Sequence, residues 1–410
     1  MMREQFDQEI APWLRLHGCA HIGALRAAQL IRAFGLPQHV FAQSEQTLAH
    51  VLGSQRYAQS VLRQPSPTML ATIEACYRWL SEGNVKASGL SKAIVTLGDA
   101  RYPPSLKEID DPPLFLFAIG AERWLDLNTR PWWQSCNGLL AVVGSRAPTG
   151  QGQQNAHVLS GQIQAQGVCI VSGLARGIDA AAHEGALDVV SGQGPATVAV
   201  MGTGVDRIYP AYHKELAHRI AQNGLLLSEQ LLGVGPLATN FPKRNRIITG
   251  MSQATLVIEA AEKSGSLISA RLAAEQGRDV MAVPGSIHSA QSKGCHWLIK
   301  QGAKLVEDAV DILEDFSTLG TLDLSLTQSP INTVKRTGTN TSEASQALPC
   351  EAEEDDAFLV AMGYDPIDLE QLQATTGLPT ATLQARLLEL ELMQKIVRLP
   401  GGLFQRLGRC

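Results

Sequence analysis

The sequence predicts an α/β protein built on a doubly wound, parallel sheet. From residue 138 onward, short apolar runs such as LLAVVGSR, VCIVSG and ATVAVMGTG alternate with segments of helical spacing. This alternation is typical of β-α-β units, in which helices cover both faces of parallel strands. Glycine and polar residues follow each apolar run, as expected where strands end in turns. We predict an extended Rossmann-like core over residues 91–316, with a small helical domain before it and a winged-helix domain after it.

Composition limits the possible classes of function. The 410 residues, 45% of them hydrophobic, suffice for two or three domains with a sizeable core. A net charge of -5 argues against a uniformly basic nucleic-acid coat, so anion binding must depend on local clusters. Seven cysteines without a CxxC pair predict a reducing, cytoplasmic setting and no zinc or other metal site. No apolar run approaches the roughly 18 residues of a membrane span, so we expect no membrane contact.

Residues 1–90 read as a small helical domain. Glycines 18, 23 and 35 punctuate segments in which Leu25, Leu30 and Phe34 fall near helical spacing. The pattern resembles a helix-hairpin-helix or sterile-alpha-motif-like bundle, which in some proteins grips a DNA backbone. A bundle that contacts protein, or that is purely structural, is the interpretation we favour. Two β-rich runs between residues 93 and 120 then predict strands that lead into the main sheet.

The chain beyond the core divides into a linker and a tail. Residues 317–355, rich in Thr, Ser, Asn and acids, predict a flexible linker because they lack apolar residues to bury. Residues 356–410 predict a winged helix, with Gly377 in the turn between two helices and Pro379 near the start of the second. From residue 367 onward, five basic residues against four acids give no clear basic footprint, which favours a protein-contact role for this module.

The turn in SGLARGIDAAAH, residues 172–183, is the first candidate anion site. It joins the buried run VCIV to an alanine-rich helix, where free backbone N–H groups and small residues allow a phosphate to approach. Arg176 could fork onto phosphate oxygens. The alternative is an ordinary tight turn, in which Asp179 only caps the helix and Arg176 is solvated.

Three further turns carry the same small and polar residues. They are GSRAPTGQG after LLAVV, MGTGVDRIYP after ATVAV and EAAEKSGSLISA after TLVI. Because the carboxyl ends of parallel strands share one edge of the sheet, we expect these turns to converge on one anion-binding crevice. Gly144, Ser145 and Arg146 lie in the first turn, and Gly265 and Ser266 offer donors at another helix start.

A segment that we interpret as a loop, FPKRNRIITG, supplies more positive charge. Lys243, Arg244 and Arg246 can neutralise phosphates, while Phe241 beside them could stack on a base. The segment continues into an apolar strand, so we expect at least one of the arginines to be structural.

The motifs of several enzyme classes are missing. The sequence has no GxxxxGK[ST] loop, no full dinucleotide fingerprint, no two-metal acid set and no Ser-His-Asp or Cys-His pattern. His183 could act as a base, although a histidine on a helix face is more often a packing residue. We therefore predict a binding crevice without catalytic residues and without a cofactor.

These motifs together resemble the DNA-processing protein A (DprA, also called Smf) family. The resemblance is carried by GSR, SGLARGIDAAAH, GTGVDRIYP, LLSE, FPKRNRIITGMS, EAAEKSGSLISARLAAEQGRDVMAVPG and LIKQGA. It implies a non-enzymatic homodimer that binds and protects incoming single-stranded DNA and loads the RecA recombinase during natural transformation. It also implies a phosphate site built from the following residues: Gly144, Ser145, Arg146, Ser172, Gly173, Arg176, Gly177, Asp179, Lys243, Arg244, Asn245, Arg246, Gly265 and Ser266.

Two alternatives remain open at this stage. One is a nucleotide-binding hydrolase of the lysine-decarboxylase-like phosphoribohydrolase type, whose PGGxGT loop is replaced here by EKSGSLISA. Release of free base from a nucleoside monophosphate would support it. The other is a non-enzymatic scaffold that bridges partners through its end modules and binds no oligonucleotide.

Overall fold

The computed structural model describes residues 2–82, 89–189, 194–318, 357–362, 367–393, 395–399 and 401–406. Two compact units are present, Met1–Phe316 and Ser317–Cys410, and each is described by itself. Almost all of the predicted linker, from residue 319 to 355, lies outside the described residues.

Seven helices form the amino-terminal part of the first unit. Serines begin two of them: the Ser44 and Ser66 hydroxyls each accept a hydrogen bond of 3.2 Å from the backbone N–H three residues on. Buried Phe6 and Leu30 belong to the same hydrophobic cluster as Phe115 of the sheet, so these helices share a core with the sheet. The seven helices are α1 Arg3–Glu9, α2 Ala11–His17, α3 Ala24–Phe34, α4 Pro37–Phe41, α5 Glu45–Leu52, α6 Gln55–Leu62 and α7 Pro67–Ser81.

A nine-stranded sheet forms the centre of the first unit. Its strands are β1 Leu90–Thr96, β2 Phe115–Ala121, β3 Gly138–Val143, β4 Val168–Ser172, β5 Thr197–Met201, β6 Leu225–Ser228, β7 Ala254–Val257, β8 Asp279–Ala282 and β9 Lys304–Leu305. The spatial order is β1-β2-β6-β5-β4-β3-β7-β8-β9. The seven strands from β6 to β9 in this spatial order run parallel to one another, whereas β1 and β2 form an antiparallel pair that extends the sheet beside β6. The doubly wound parallel sheet is confirmed.

Helices cover both faces of the sheet, which explains why β3, β4 and β5 are buried along their whole lengths. Strand β3 lies between β4, which follows it in the chain, and β7, which comes much later, so the strand order reverses there. Such a reversal opens a crevice at the carboxyl edge of the sheet. The helices are α8 Pro104–Lys107, α9 Glu122–Leu125, α10 Gly150–Ala165, α11 Ile178–Asp188, α12 Lys214–Asn223, α13 Asn240–Met251, α14 Gly265–Glu275, α15 Lys293–Lys300 and α16 Ala309–Thr318.

The predicted loop FPKRNRIITG is a helix, α13, and that prediction was wrong. Pro242 lies in the first turn, where a missing N–H costs no helical hydrogen bond. Ile247, Ile248 and Met251 are fully buried, so packing of this apolar stripe stabilises the helix. Because the segment is helical, its basic side chains point in different directions.

The second unit contains the predicted winged helix. Gly377 takes the left-handed conformation that ends the first helix of the pair, and Pro379 precedes the second, both as predicted. Leu372, Leu383 and Leu387 are buried at its centre. Its elements are α17 Ala357–Met362, α18 Leu369–Thr376, α19 Thr380–Leu392 and the antiparallel pair β10 Ile396–Leu399 and β11 Leu403–Arg406.

Among the helices in the described ranges, none is both long enough and apolar enough to cross a membrane.

Close contact between α10 and α11 gives a test of the packing. A Cβ at Gly185 would overlap the backbone carbonyl oxygen of His157. We expect Gly185→Ala to lower the free energy of unfolding by about 2 kcal/mol, since the helices must separate and the gain in helix propensity offsets only part of that cost. Urea unfolding followed by circular dichroism measures the change. Gly235→Ala is the control, because no atom lies within 4 Å of its new Cβ. Equal stability of the two variants would contradict the packing argument.

Candidate functional site

A pocket of about 480 Å³ opens at the carboxyl edge of the sheet, beyond the ends of the neighbouring strands β3 and β7. The turn after β3 forms one wall, and the start of α14 forms the opposite wall. The structure thus brings together residues from three of the predicted turns and from α13. Predicted residues that line the pocket are Gly144, Ser145, Arg146, Asp179, Arg244, Asn245, Gly265 and Ser266.

Backbone N–H groups of the SGLARGID turn are already hydrogen-bonded to a side chain of the protein. The Asp179 carboxylate accepts hydrogen bonds from the backbone N–H groups of Gly173 and Ala175, at 3.2 and 3.3 Å. The Ser172 hydroxyl donates to the carbonyl oxygen of Val142, at 2.7 Å, and is fully buried. The donors that we expected to receive a phosphate are therefore already paired. The structure leaves Ser172 and Gly173 outside the pocket lining, because the acid that we considered as a helix cap takes the N–H groups of this turn.

Gly177 brings the two turns together. Its φ of +76° is disfavoured for residues with a Cβ, and a Cβ there would lie 2.5 Å from the Ser145 carbonyl oxygen. That oxygen accepts a hydrogen bond of 3.1 Å from the N–H of Ile178. Gly177 is therefore needed for backbone approach. Its neighbour Arg176 is exposed and lies outside the pocket lining, without an ion pair among the described residues.

Arg244 lies beneath the pocket with only 4% of its surface exposed. One guanidinium nitrogen, Nη1, donates to the carbonyl oxygens of Gly173 and Val200, each at 2.5 Å. Any Cβ at Gly173 would overlap this guanidinium. Burial lowers the pKa of Arg244 to about 10, and Asp179 offsets part of that effect, so the side chain remains charged at neutral pH. Burial likewise raises the pKa of the Asp179 carboxyl, against the opposing effect of Arg244.

Arg246 forms ion pairs outside the pocket lining. Its Nη2 donates to both carboxylate oxygens of Glu229, at 2.6 and 2.8 Å, and its Nε lies 3.0 Å from a carboxylate oxygen of Asp111. Two acids therefore neutralise it away from the pocket. Lys243, one helical turn earlier, is exposed and also outside the pocket lining. The expectation that at least one arginine of the cluster is structural fits both Arg244 and Arg246.

An exposed arginine, which has no ion pair among the described residues, and two aromatic rings flank the pocket. Arg146 is exposed, and its guanidinium carbon lies 5.7 Å from the ring centroid of Phe241. That ring in turn packs 5.6 Å from the ring of Tyr209, which is 49% exposed. Gly202 allows the close fit, since a Cβ there would lie 2.9 Å from Phe241. Cation and aromatic surface are thus available side by side.

The start of α14 lines the pocket and is capped by a hydroxyl, not by a carboxylate. The Ser264 hydroxyl accepts from the N–H of Ser266, at 3.3 Å, and Gly265 is exposed, with open space where a Cβ would be. Lys263 precedes this turn and lines the pocket. We did not select Lys263 from the sequence, although a basic residue directly before a Ser-Gly-Ser helix start is a signal that could have identified it.

Helix α10, where a Rossmann fold often binds a pyrophosphate, is already capped by a carboxylate. Glu259 accepts hydrogen bonds from the N–H and the hydroxyl of Thr149, at 3.0 and 2.6 Å. A Cβ at Gly152 would lie 2.6 Å from Glu259 Oε1, so the carboxylate sits against the first turn. An anion is therefore repelled at α10 and favoured at α14.

The charge of the pocket lining favours an anion. Arg146, Arg244 and Lys263 contribute three positive charges, and Asp179 contributes one negative charge, which leaves a surplus of two. Asp179 is held by backbone N–H groups and faces Arg244. In the described ranges, no group of three or more His, Cys, Asp or Glu side chains could hold a metal ion.

His183 is a buried hydrogen-bonding residue below the same turn. Its Nε2 accepts from the N–H of Leu174, at 3.3 Å, and its Nδ1 lies 2.7 Å from the hydroxyl of Thr197, which donates to a backbone carbonyl. This arrangement requires a neutral imidazole with the proton on Nδ1. Burial first, and then Arg244 and His213, lower the pKa of His183 to about 3.

We expect this histidine to destabilise the fold in acid. Because the pKa of an unfolded histidine is about 6.5, only the unfolded state gains this proton as the pH falls toward 3, and stability drops by about 1.4 kcal/mol per pH unit. The raised pKa of Asp179 has the opposite effect on stability as the pH falls. The measured quantity is therefore the difference in unfolding free energy between wild type and His183→Gln. Urea unfolding across this pH window should show the stability advantage of wild type shrinking. Parallel pH profiles would contradict a neutral, buried His183.

Comparisons with known proteins identify the family. The family model of DNA recombination-mediator protein A matches residues 93–317, and that of the DprA winged helix domain matches residues 336–402. Protein Smf of Escherichia coli (strain K12) is 36% identical over 405 residues, which is 98% of this chain and 97% of that protein. DNA processing protein DprA of Streptococcus pneumoniae (strain ATCC BAA-255 / R6) is 46% identical over 218 residues, which is 53% of this chain and 72% of that protein.

A solved structure agrees with the sequence relatives. The X-ray structure of DNA processing protein A from Streptococcus pneumoniae superposes with a TM-score of 0.60 and 33% identity, over 75% of this chain and 99% of that chain. The sequence match to Smf covers almost the whole of both chains, and the family models match both units. The chain therefore belongs to the DprA/Smf family of DNA recombination-mediator proteins.

Proposed function

We propose that this protein binds single-stranded DNA in the pocket at the carboxyl edge of the sheet. Acting as a recombination mediator, it protects incoming DNA and loads RecA during natural transformation. The observation that carries the proposal is the placement around one pocket of an arginine without an ion pair among the described residues, a helix start without a carboxylate cap, and an aromatic pair. Membership of a family of DNA recombination mediators supports the biological role.

Phosphate groups match the polar side of the pocket. Arg146 can donate two parallel hydrogen bonds to a phosphate, and the start of α14 adds a favourable dipole. Buried Arg244 supplies a fixed positive charge from below. We assign phosphate contact to the lining residues Gly144, Ser145, Arg146, Asn245, Lys263, Gly265 and Ser266, with Arg176 and Lys243 as exposed cations near the site.

The aromatic pair favours single strands over duplexes. Phe241 and Tyr209 can stack only on bases that are not already paired and stacked within a duplex. Stacking does not distinguish base identity, because every base has an aromatic face. The proposed binding is therefore tolerant of sequence and depends strongly on salt.

The other predicted residues build the site and do not contact the strand. Asp179 and Gly173 hold the turn, Gly177 allows its close packing, and Arg246 joins α13 to Glu229. In this proposal the protein acts by binding and has no catalytic residues. His183 cannot serve as a base on a ligand because both ring nitrogens are engaged below the turn.

We propose that the winged helix contacts protein, with RecA as the candidate partner, and that the protein works as a homodimer. On α19, Arg386 pairs with Glu389 at 2.5 Å, whereas Leu388 and Leu392 are exposed by 59% and 78%. Arg406 is buried and donates to the carbonyl oxygen of Leu359. Apolar surface on the second helix supports protein contact, since a DNA-reading helix needs exposed cations.

Removal of the Arg146 side chain should weaken the binding of single-stranded DNA. We expect Arg146→Ala to reduce affinity for unrelated single-stranded oligonucleotides by about tenfold, and to lower the slope of log affinity against log salt by about 0.7. Fluorescence anisotropy at several salt concentrations measures both. Arg123→Ala removes an exposed arginine that stacks on Trp124 outside the pocket lining and is the matched control. If folded Arg146→Ala binds like the control, the pocket assignment fails.

The pocket lies wholly within the first compact unit, which gives a second prediction. A chain that ends at Phe316 should bind single-stranded oligonucleotides within about threefold of the full-length affinity, because all proposed phosphate contacts remain. The same anisotropy titration, with double-stranded oligonucleotide as a comparison, measures this. Loss of single-strand binding in a folded, shortened chain would move the DNA site to the winged helix.

A further inference from the structure

A second cavity lies among the amino-terminal helices. Its volume is about 900 Å³, and its wall is formed by the turn after α2, by α6 and by the residues that lead into α7. Four basic side chains line it: Arg15, His21, Arg56 and Arg63. The described residues of its wall include no Asp or Glu.

The charge of this region is opposite to that of the whole chain. Residues 11–73 contain five arginines and a single acid, Glu45, a surplus of four positive charges in a chain whose net charge is -5. The Glu45 carboxylate accepts a hydrogen bond of 2.9 Å from Gln59 of the cavity wall. A local basic cluster in an acidic protein is the pattern expected of a dedicated anion site.

The arginines of the cavity differ from Arg3 and Arg78 in having no acidic partner among the described residues. Arg3 pairs with Asp7 and Glu74, at 2.9 and 2.5 Å, and Arg78 lies 3.9 Å from Glu74. Across residues 2–82, all of them described, Arg15, Arg56 and Arg63 take part in no ion pair. The described contact of Arg56 is with another basic side chain, since its Nη2 lies 3.1 Å from Nε2 of His21. This contact supplies no negative charge to the guanidinium, so an anion could pair with it.

Two of the basic groups are fixed in place. The guanidinium of Arg15 stacks 3.9 Å from the ring centroid of Phe41, and its Nε is buried without a hydrogen-bond partner. His21 has a φ of +65°, a conformation that costs free energy for a residue with a Cβ. Arg26 holds that turn by donating to the His21 carbonyl oxygen, at 3.2 Å. The strained turn keeps the imidazole in the cavity wall.

A helix start adds to the positive potential. Ser66 and Pro67, the cap and first residue of the 15-residue helix α7, are part of the cavity wall. The Ser66 hydroxyl pairs with the N–H of Met69. The positive end of the helix dipole therefore faces the same space as the arginines.

We propose that this cavity is a second phosphate site, which binds the phosphodiester backbone of a nucleic-acid strand. No Phe, Tyr or Trp is among the described wall residues, so the wall offers planar cations for phosphates but no aromatic ring for a base. A nucleotide site needs contacts to base and sugar, which this wall lacks. The inference rests on the proposed function, because it assumes that the protein binds a DNA strand.

The test measures binding of a long single-stranded oligonucleotide to the full chain carrying Arg56→Gln and Arg63→Gln together. Both side chains are exposed, so the fold should be retained, and thermal unfolding checks this. We expect about tenfold weaker binding and a decrease of about 1.4 in the salt slope, which is the contribution of two phosphate contacts. Replacement of both residues by Lys should restore most of the slope, because the charges return.

The control variant carries Arg3→Gln and Arg78→Gln, which removes two arginines of the same helices that face acids. It should bind like wild type. If wild type binds the oligonucleotide and the Arg56/Arg63 variant binds equally well, this inference fails and the proposed function stands. If wild type binds no oligonucleotide, both fail. A competition experiment adds inorganic phosphate or a mononucleotide at the same total phosphate concentration as the oligonucleotide. If either one removes the difference in affinity between the Arg56/Arg63 variant and the control variant, the cavity is a small-anion site and the polymer assignment fails.

Discussion

The carboxyl edge of the sheet depends on one buried interaction, the contact of the Arg244 guanidinium with the backbone of two strands. A buried charge is tolerated only when hydrogen bonds and an opposite charge compensate for the lost water. Here the carbonyl oxygens of Gly173 and Val200 accept from the guanidinium, and Asp179 supplies the negative charge. This one side chain therefore joins α13 to the ends of β4 and β5. The same requirement explains Gly173, since any larger residue would displace the guanidinium.

The pocket is built by pairing some polar groups internally so that others remain available. Asp179 occupies two N–H groups of the turn between β4 and α11, and Glu259 occupies the start of α10. One turn and one helix start that could hold phosphates are thereby neutralised by the protein's own acids. The start of α14, with Lys263 before it, is capped by the Ser264 hydroxyl and carries no carboxylate. An incoming anion is directed to that side of the pocket, opposite Arg146.

The amino-terminal helices likewise contain arginines with and without acidic partners among the described residues. Arg3 is held by two acids and contributes to local structure, whereas Arg56 and Arg63 face a cavity without acids. These helices share a hydrophobic cluster with the sheet, so they are part of the first unit and not a separate body. A strand bound to the sheet edge and a strand bound to the helices would thus be held by one compact unit.

The sequence by itself determined the sheet, the winged helix and the family. Apolar runs ending in small, polar turns are local patterns, and the carboxyl ends of parallel strands must share an edge, so the crevice could be placed without coordinates. Only the tertiary structure decided which side chains face it. Arg244 and Arg246 are two residues apart, yet α13 points them in different directions, toward strand ends and toward Glu229. The partners that neutralise Arg246, Asp111 and Glu229, are distant in the chain, as is the Glu259 that caps α10. Whether a charge is free to bind a ligand is set by such long-range pairs, which no local pattern records.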